Sequence, residues 1–134
     1  MHMDKRKMLD LLTKALTQDG RVVFAYAYGS FVKDQTFRDI DVGVYVKDSE
    51  ENPFVISSDI KTQLSRIFKK GDIDLSADQF DVQMINHAPF TFLKHIFKEG
   101  ILLIDRDPEL RTDLVEYVSS KYRECAGLLA EIQE

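Results

Sequence analysis

One cysteine, Cys125, in 134 residues leaves no internal disulfide to form, so nothing calls for an oxidising compartment. No apolar stretch approaches the roughly 20 residues of a membrane-spanning helix. The start, Met1-His2-Met3-Asp4-Lys5-Arg6-Lys7, lacks the apolar segment of a signal peptide. The expected location is therefore the cytoplasm. An excess of basic charge is missing too. The net charge of −5 argues against direct nucleic-acid binding through a broad basic face, but not against a nucleotide held through metal. There is no internal repeat and no low-complexity tract. The polar run Lys47-Asp48-Ser49-Glu50-Glu51-Asn52-Pro53 is a surface loop, too short to link two domains. What is present is an ordinary globular mix, 44% apolar and 31% charged, long enough for one core. The expectation is one domain over residues 1–134.

Apolar spacing supplies the elements. Met8, Leu11, Leu12, Ala15 and Leu16 share one helical face, and that helix should stop near Asp19-Gly20. Val22 to Tyr28, rich in β-branched and aromatic residues, reads as a strand. Gly29-Ser30 turns the chain, and Asp39 to Val46 forms a second strand. Ile56, Ile60, Leu64, Ile67 and Phe68 line a helix ending at Lys69-Lys70-Gly71. Phe80 to Ile85 reads as a third strand, with Phe80, Val82 and Met84 on one face and Asp81, Gln83 and Ile85 on the other. Phe92, Leu93, Ile96 and Phe97 stripe a helix from Pro89, a proline suited to a first turn, to Gly100. Ile101 to Ile104 gives a short fourth strand. Leu110, Leu114, Val118, Tyr122, Cys125, Leu129 and Ile132 stripe a long final helix, about residues 108–132, after a core of about residues 1–105. The order αβ(α)βαβαβα makes an α/β (α+β) class, with a central sheet flanked by helices.

The chemistry sits in the second strand. Asp39 and Asp41 are one residue apart among Ile40, Val42, Val44 and Val46, so both carboxylates project from the same face. At ~4 Å, two such charges would repel by a few kcal/mol even at an effective dielectric of 20. A divalent cation relieves that repulsion, and Mg²⁺ suits one or two carboxylates plus substrate phosphates. A third carboxylate would complete the site, with Asp72, Asp74, Asp78 and Asp81 as candidates. Asp81 is chosen because it lies inside an apolar strand, where an unpaired charge is expensive.

Gly29-Ser30, Asp39-Ile40-Asp41 and Phe80-Asp81-Val82 together resemble the DNA polymerase β-like nucleotidyltransferase superfamily, and more closely its minimal MntA-type antitoxins. Asp81-Val82-Gln83-Met84-Ile85-Asn86-His87-Ala88-Pro89 and Glu99-Gly100-Ile101-Leu102-Leu103-Ile104-Asp105 extend the resemblance over nearly the whole chain. The resemblance implies a mixed sheet of that fold. It also implies two Mg²⁺ ions on Asp39, Asp41 and Asp81 as the catalytic set, and ATP as substrate. Gly29 would let backbone approach the triphosphate, Ser30 would offer hydroxyl and amide to phosphate oxygens, and Lys33 would neutralise phosphate charge. The implied partner is a helical HEPN-family RNase toxin (HepT-like), silenced by transfer of AMP to one of its tyrosines. The chain departs from the pattern in three places. Only eight residues separate Ser30 from Asp39, fewer than is common in close relatives, Asp34 stands where Gly is frequent, and Arg38 precedes Asp39. Arg38 reads as an ion-pair partner of Asp39 ahead of a phosphate ligand.

Other features take plainer readings. His2, His87 and His95 lack metal-site spacing. Phe90, Phe92 and Phe97 read as core or as an apolar patch for a partner, and Lys5-Arg6-Lys7 and Lys69-Lys70 as helix-end charges. Two other functions fit parts of the pattern. One is nucleotidyl transfer to a small-molecule hydroxyl, which usually needs an additional substrate-binding domain. The other is a non-catalytic antitoxin acting by occlusion, which has no use for a costly acidic set.

Overall fold

The computed structural model describes residues 4–47 and 50–133, with side chains through residue 128. His2, Asp48 and Ser49, and the side chains of Leu129 and Ile132, lie outside the described residues. The elements are α1 (Lys5–Thr17), β1 (Val22–Tyr28), α2 (Ser30–Lys33), β2 (Ile40–Val46), α3 (Pro53–Lys70), β3 (Phe80–Met84), α4 (Phe90–Glu99), β4 (Ile101–Asp105) and α5 (Pro108–Gln133). The four strands lie in the order β3-β2-β1-β4. β1 pairs antiparallel with both β2 and β4, while β2 and β3 run parallel, joined by the α3 crossover. The sheet is therefore mixed, as expected.

Strand alternation sorts side chains to two helical layers. Ile40, Val42, Val44 and Val46 of β2 and Phe80 and Val82 of β3 face α1 and α3. All five expected α3 positions, Ile56, Ile60, Leu64, Ile67 and Phe68, are buried there. On the opposite face Phe24, Tyr26 and Tyr28 of β1 meet Leu93 and Ile96 of α4 and Val118 of α5. Phe90, Phe92 and Phe97 pack partly buried against this second cluster, so they belong to the core.

Several local expectations change. α1 ends at Thr17 with Gln18 as its cap, and Gly20 is not in the left-handed region; the only glycine there among the described residues is Gly29. Arg106 takes up the helix end instead, donating to the carbonyls of Thr17, Asp19 and Val22. Buried Asp19 is in turn held by Arg21 at 2.7 Å. Pro89 caps α4 from outside rather than lying in its first turn. β2 begins at Ile40, so Asp39 stands in the bend before it. The final helix departs furthest. Of its described side chains only Val118 is buried, while Leu110 and Tyr122 from the expected stripe are exposed. Periodicity shows which residues share a side of a helix, but burial needs another element to cover that side. Here α4 covers only part of it.

Candidate active site

The site is built where β1, β2 and β3 carry matched residues on the α4 side of the sheet. Tyr28 on β1 is the register partner of Asp41 on β2, and Asp41 is the register partner of Asp81 on β3. Register partners share a face, so the two carboxylates and the phenol stand side by side. Of the four candidates for a third carboxylate, Asp81 is thus the one in register with Asp41. Asp72 serves the turn after α3, with φ of +65°.

Immediately after Tyr28 the chain turns at Gly29, with φ +77° and ψ −156°. A Cβ built there would lie 2.2 Å from Oδ2 of Asp41. Glycine is required twice at this position, for the dihedral and for the space the carboxylate fills. Ser30 opens α2, exposed, and its carbonyl accepts from the amide of Asp34 at 2.8 Å. Lys33 closes α2 and pairs with Glu99 at the end of α4, 3.9 Å away. That contact is exposed and worth at most ~1 kcal/mol. Lys5 is more than a helix-end charge: its Nζ donates to the Asp34 carbonyl and lies 5.9 and 5.7 Å from the ring centres of Phe31 and Phe37. The short segment before Asp39 is tied to α1 in this way.

Asp39 and Arg38 are both exposed. Among the described residues Arg38 makes no ion pair, so the expected pairing with Asp39 is absent. Adjacent side chains along a bent, extended segment diverge, which keeps the guanidinium from its neighbour.

Electrostatics single out Asp41. Its pKa is pushed up to about 6, first by burial, then by the charge of Asp81, a hydrogen bond with Asp81, and the charge of Asp39. The Tyr28 phenol is likewise pushed up, chiefly by burial and then by Asp41 and Asp81. Asp81 is exposed, and its Oδ1 accepts from Nε2 of Gln83 at 2.9 Å. Among the described residues, no three His, Cys, Asp or Glu side chains are already gathered as metal ligands. The donor set nevertheless suits a hard divalent cation: carboxylate oxygens only, in a place where burial and then mutual repulsion lift one pKa. Sequence reasoning missed Tyr28, Gln83 and Glu99. The position of Gln83, two residues after Asp81 on the same strand face, was a readable signal for a hydrogen-bonding neighbour of Asp81.

The raised pKa has a definite sign. The fold prefers Asp41 protonated, so its contribution to stability is fully present below the unfolded value of 3.8. It is lost as pH rises through the folded value near 6, and the repulsion persists above that. Mg²⁺ binding the ionised site should raise the melting temperature at about pH 7.5 and do little near pH 5, where Asp41 carries its proton. Thermal unfolding with and without Mg²⁺ at the two pH values checks this. An equal shift at both would detach the effect from Asp41.

A family model described as polymerase beta, nucleotidyltransferase, matches residues 11–109. A search of curated proteins finds no match. Among solved structures, the chain is similar to one in the tri-AMPylated Shewanella oneidensis HEPN toxin in complex with MNT antitoxin. That match has 14% identity and a TM-score of 0.60, and covers 98% of this chain and 100% of that one. It is similar to a chain of a toxin–antitoxin structure with AMP-PNP, at 16% identity and TM-score 0.57, covering 98% and 100%. A chain of the toxin–antitoxin pair MntA–HepT matches at 15% identity and TM-score 0.54, covering 97% of each. At these identities the likeness is one of fold.

Proposed function

Because this chain belongs to the polymerase β nucleotidyltransferase family, we propose that it is a Mg²⁺-dependent protein adenylyltransferase. In this reading it is the antitoxin of a toxin–antitoxin pair, moving AMP from ATP to a tyrosine of a HEPN-family toxin. The observation that carries the reaction is Asp41, register-paired with Asp81 and pressed against the Gly29 turn. A HEPN toxin as partner is supported by the fold this chain shares with a chain of a complex between MNT antitoxin and a tri-AMPylated HEPN toxin.

Asp39, Asp41 and Asp81 would hold the Mg²⁺ ions, which when bound neutralise the triphosphate and the charge that develops on the leaving oxygen. The rest is work for the chain itself. Gly29, without a side chain, lets phosphate oxygens come close to the backbone beside Asp41. Ser30 offers its exposed hydroxyl and its amide to the phosphates. Lys33 adds positive charge at the end of α2, exchanging its surface contact with Glu99 for phosphate oxygens. Asp81 accepts the proton of the attacking hydroxyl. That oxygen bonds to the α-phosphorus, the bond from the α-phosphorus to the α–β bridging oxygen breaks, and pyrophosphate leaves with the electron pair. An added phosphate on a surface that must receive RNA repels the RNA backbone, which explains how the modification would silence an RNase.

The test is direct. The protein, Mg²⁺, α-labelled ATP and the product of the neighbouring gene are incubated together. Label should appear on that product and vanish with Asp39→Asn or Asp81→Asn. Toxin inhibited with no label under any condition would instead establish neutralisation by occlusion.

A further inference from the structure

An apolar cavity of about 390 Å³ opens at the other end of β3 from the start of the strand. Its walls include Ile56 and Pro53 of α3, Met84 of β3, Ala88 and Pro89 of the connection to α4, and Phe92. The wall is pre-formed. Asn86 donates from Nδ2 to the Val46 carbonyl at 2.8 Å and accepts from the Val46 amide at 3.0 Å, continuing the β2 ladder with a side chain. Between the lining residues Pro53 and Ile56, on the first turn of α3, Phe54 is 84% exposed and Val55 51% exposed.

Two contacts join this cavity to the carboxylates. Gln83 lines it and donates to Asp81. Phe92 also lines it and packs edge-to-face on Tyr28, with ring centres 5.7 Å apart. Resting on the transferase reading above, we propose that this cavity seats the aromatic ring of the acceptor tyrosine, with Phe54 and Val55 gripping the polypeptide that carries it.

The direction of the reaction selects this occupant. In-line displacement puts the attacking oxygen opposite the leaving group. Pyrophosphate leaves toward Gly29 and Ser30, which follow β1, on one flank of Asp41. The attacking oxygen therefore arrives from the other flank, where β3 is the edge of the sheet and the cavity opens. Gln83 stands two residues from Asp81, roughly 7 Å along the strand. Counting a hydrogen bond of ~2.7 Å to the carboxylate, a phenol ring reaches back about that far; a serine or threonine, without a ring, does not. The apolar walls suit a ring, Gln83 marks the side nearer Asp81, and Lys47, Glu51 and His87 line the cavity as well.

Ala88→Phe fills the cavity, and Phe54→Asp changes only an exposed side chain, so the second variant remains informative if the first fails to fold. Binding of AMP-PNP and labelling of the toxin are measured for the wild type and both variants. Each variant should lose labelling by about tenfold or more while AMP-PNP affinity stays within about twofold. Full labelling by both, when the wild type labels the toxin, overturns the pocket assignment alone. Weakened AMP-PNP binding in Ala88→Phe overturns it in favour of a nucleobase seat. No label from the wild type overturns the transferase reading, and this assignment with it.

Discussion

Asp41→Asn should abolish transfer and yet yield a more stable protein. Removing the carboxylate beside Asp39 and Asp81 would take away one of the three proposed cation ligands. The expected loss is on the order of 10³-fold in rate, equivalent to about 4 kcal/mol of transition-state stabilisation. The same substitution removes the burial of a charge and the repulsion from Asp81 and Asp39 that together lift the Asp41 pKa to about 6, so the melting temperature without metal should rise. That rise should grow between about pH 4 and pH 6 and then level off, following the sign of the linkage. An activity assay paired with a pH series of thermal melts checks both halves. A variant less stable than the wild type at neutral pH would show that Asp41 supports the fold rather than straining it. The combination is diagnostic, since a purely structural aspartate loses stability and activity together.

Gly29→Ala should damage both. Its φ of +77° with ψ of −156° lies in a region essentially restricted to glycine, costing any residue with a Cβ roughly 1–3 kcal/mol. The methyl group would also land 2.2 Å from the Asp41 carboxylate, so that side chain must swing away. Together these should destabilise the protein by about 3 kcal/mol, lowering the melting temperature by about 10 °C. Transfer should be lost well below the new melting temperature, because the displaced Asp41 no longer faces Asp81. Gly29→Ala that melted like the wild type would refute the close approach. The double substitution Gly29→Ala with Asp41→Ala separates the two causes: space is restored, the dihedral is not, and only part of the stability should return.

Much of the fold was legible because its cores are periodic. Five apolar positions at helical spacing specified the buried side of α3, and alternation along Phe80 to Ile85 separated Asp81 from Phe80 and Val82. The limits of that legibility are equally physical. Leu110 and Tyr122 share a helical stripe with Val118, but only Val118 is buried: Leu114 is partly covered and Tyr122 stays exposed beside Lys94 of α4. Arg38 next to Asp39 suggested a pair from adjacency, although neighbours in an extended segment point apart. Gly20 looked like a helix terminator, whereas Arg106, distant in sequence, does that work.

The amino-acid order alone determined that carboxylates alternate with aliphatic residues beside a glycine turn, and through that the family of the chain. Alternation is a local property, written in consecutive residues. Only the tertiary structure decided that Asp81, already singled out by its apolar strand, is the register partner of Asp41, that Gly29 and the Asp41 carboxylate occupy adjoining space, and that a cavity opens beside Gln83. Each of these depends on how separate segments pair and pack, from 12 residues apart for Gly29 and Asp41 to 40 for Asp41 and Asp81, which no run of consecutive residues encodes.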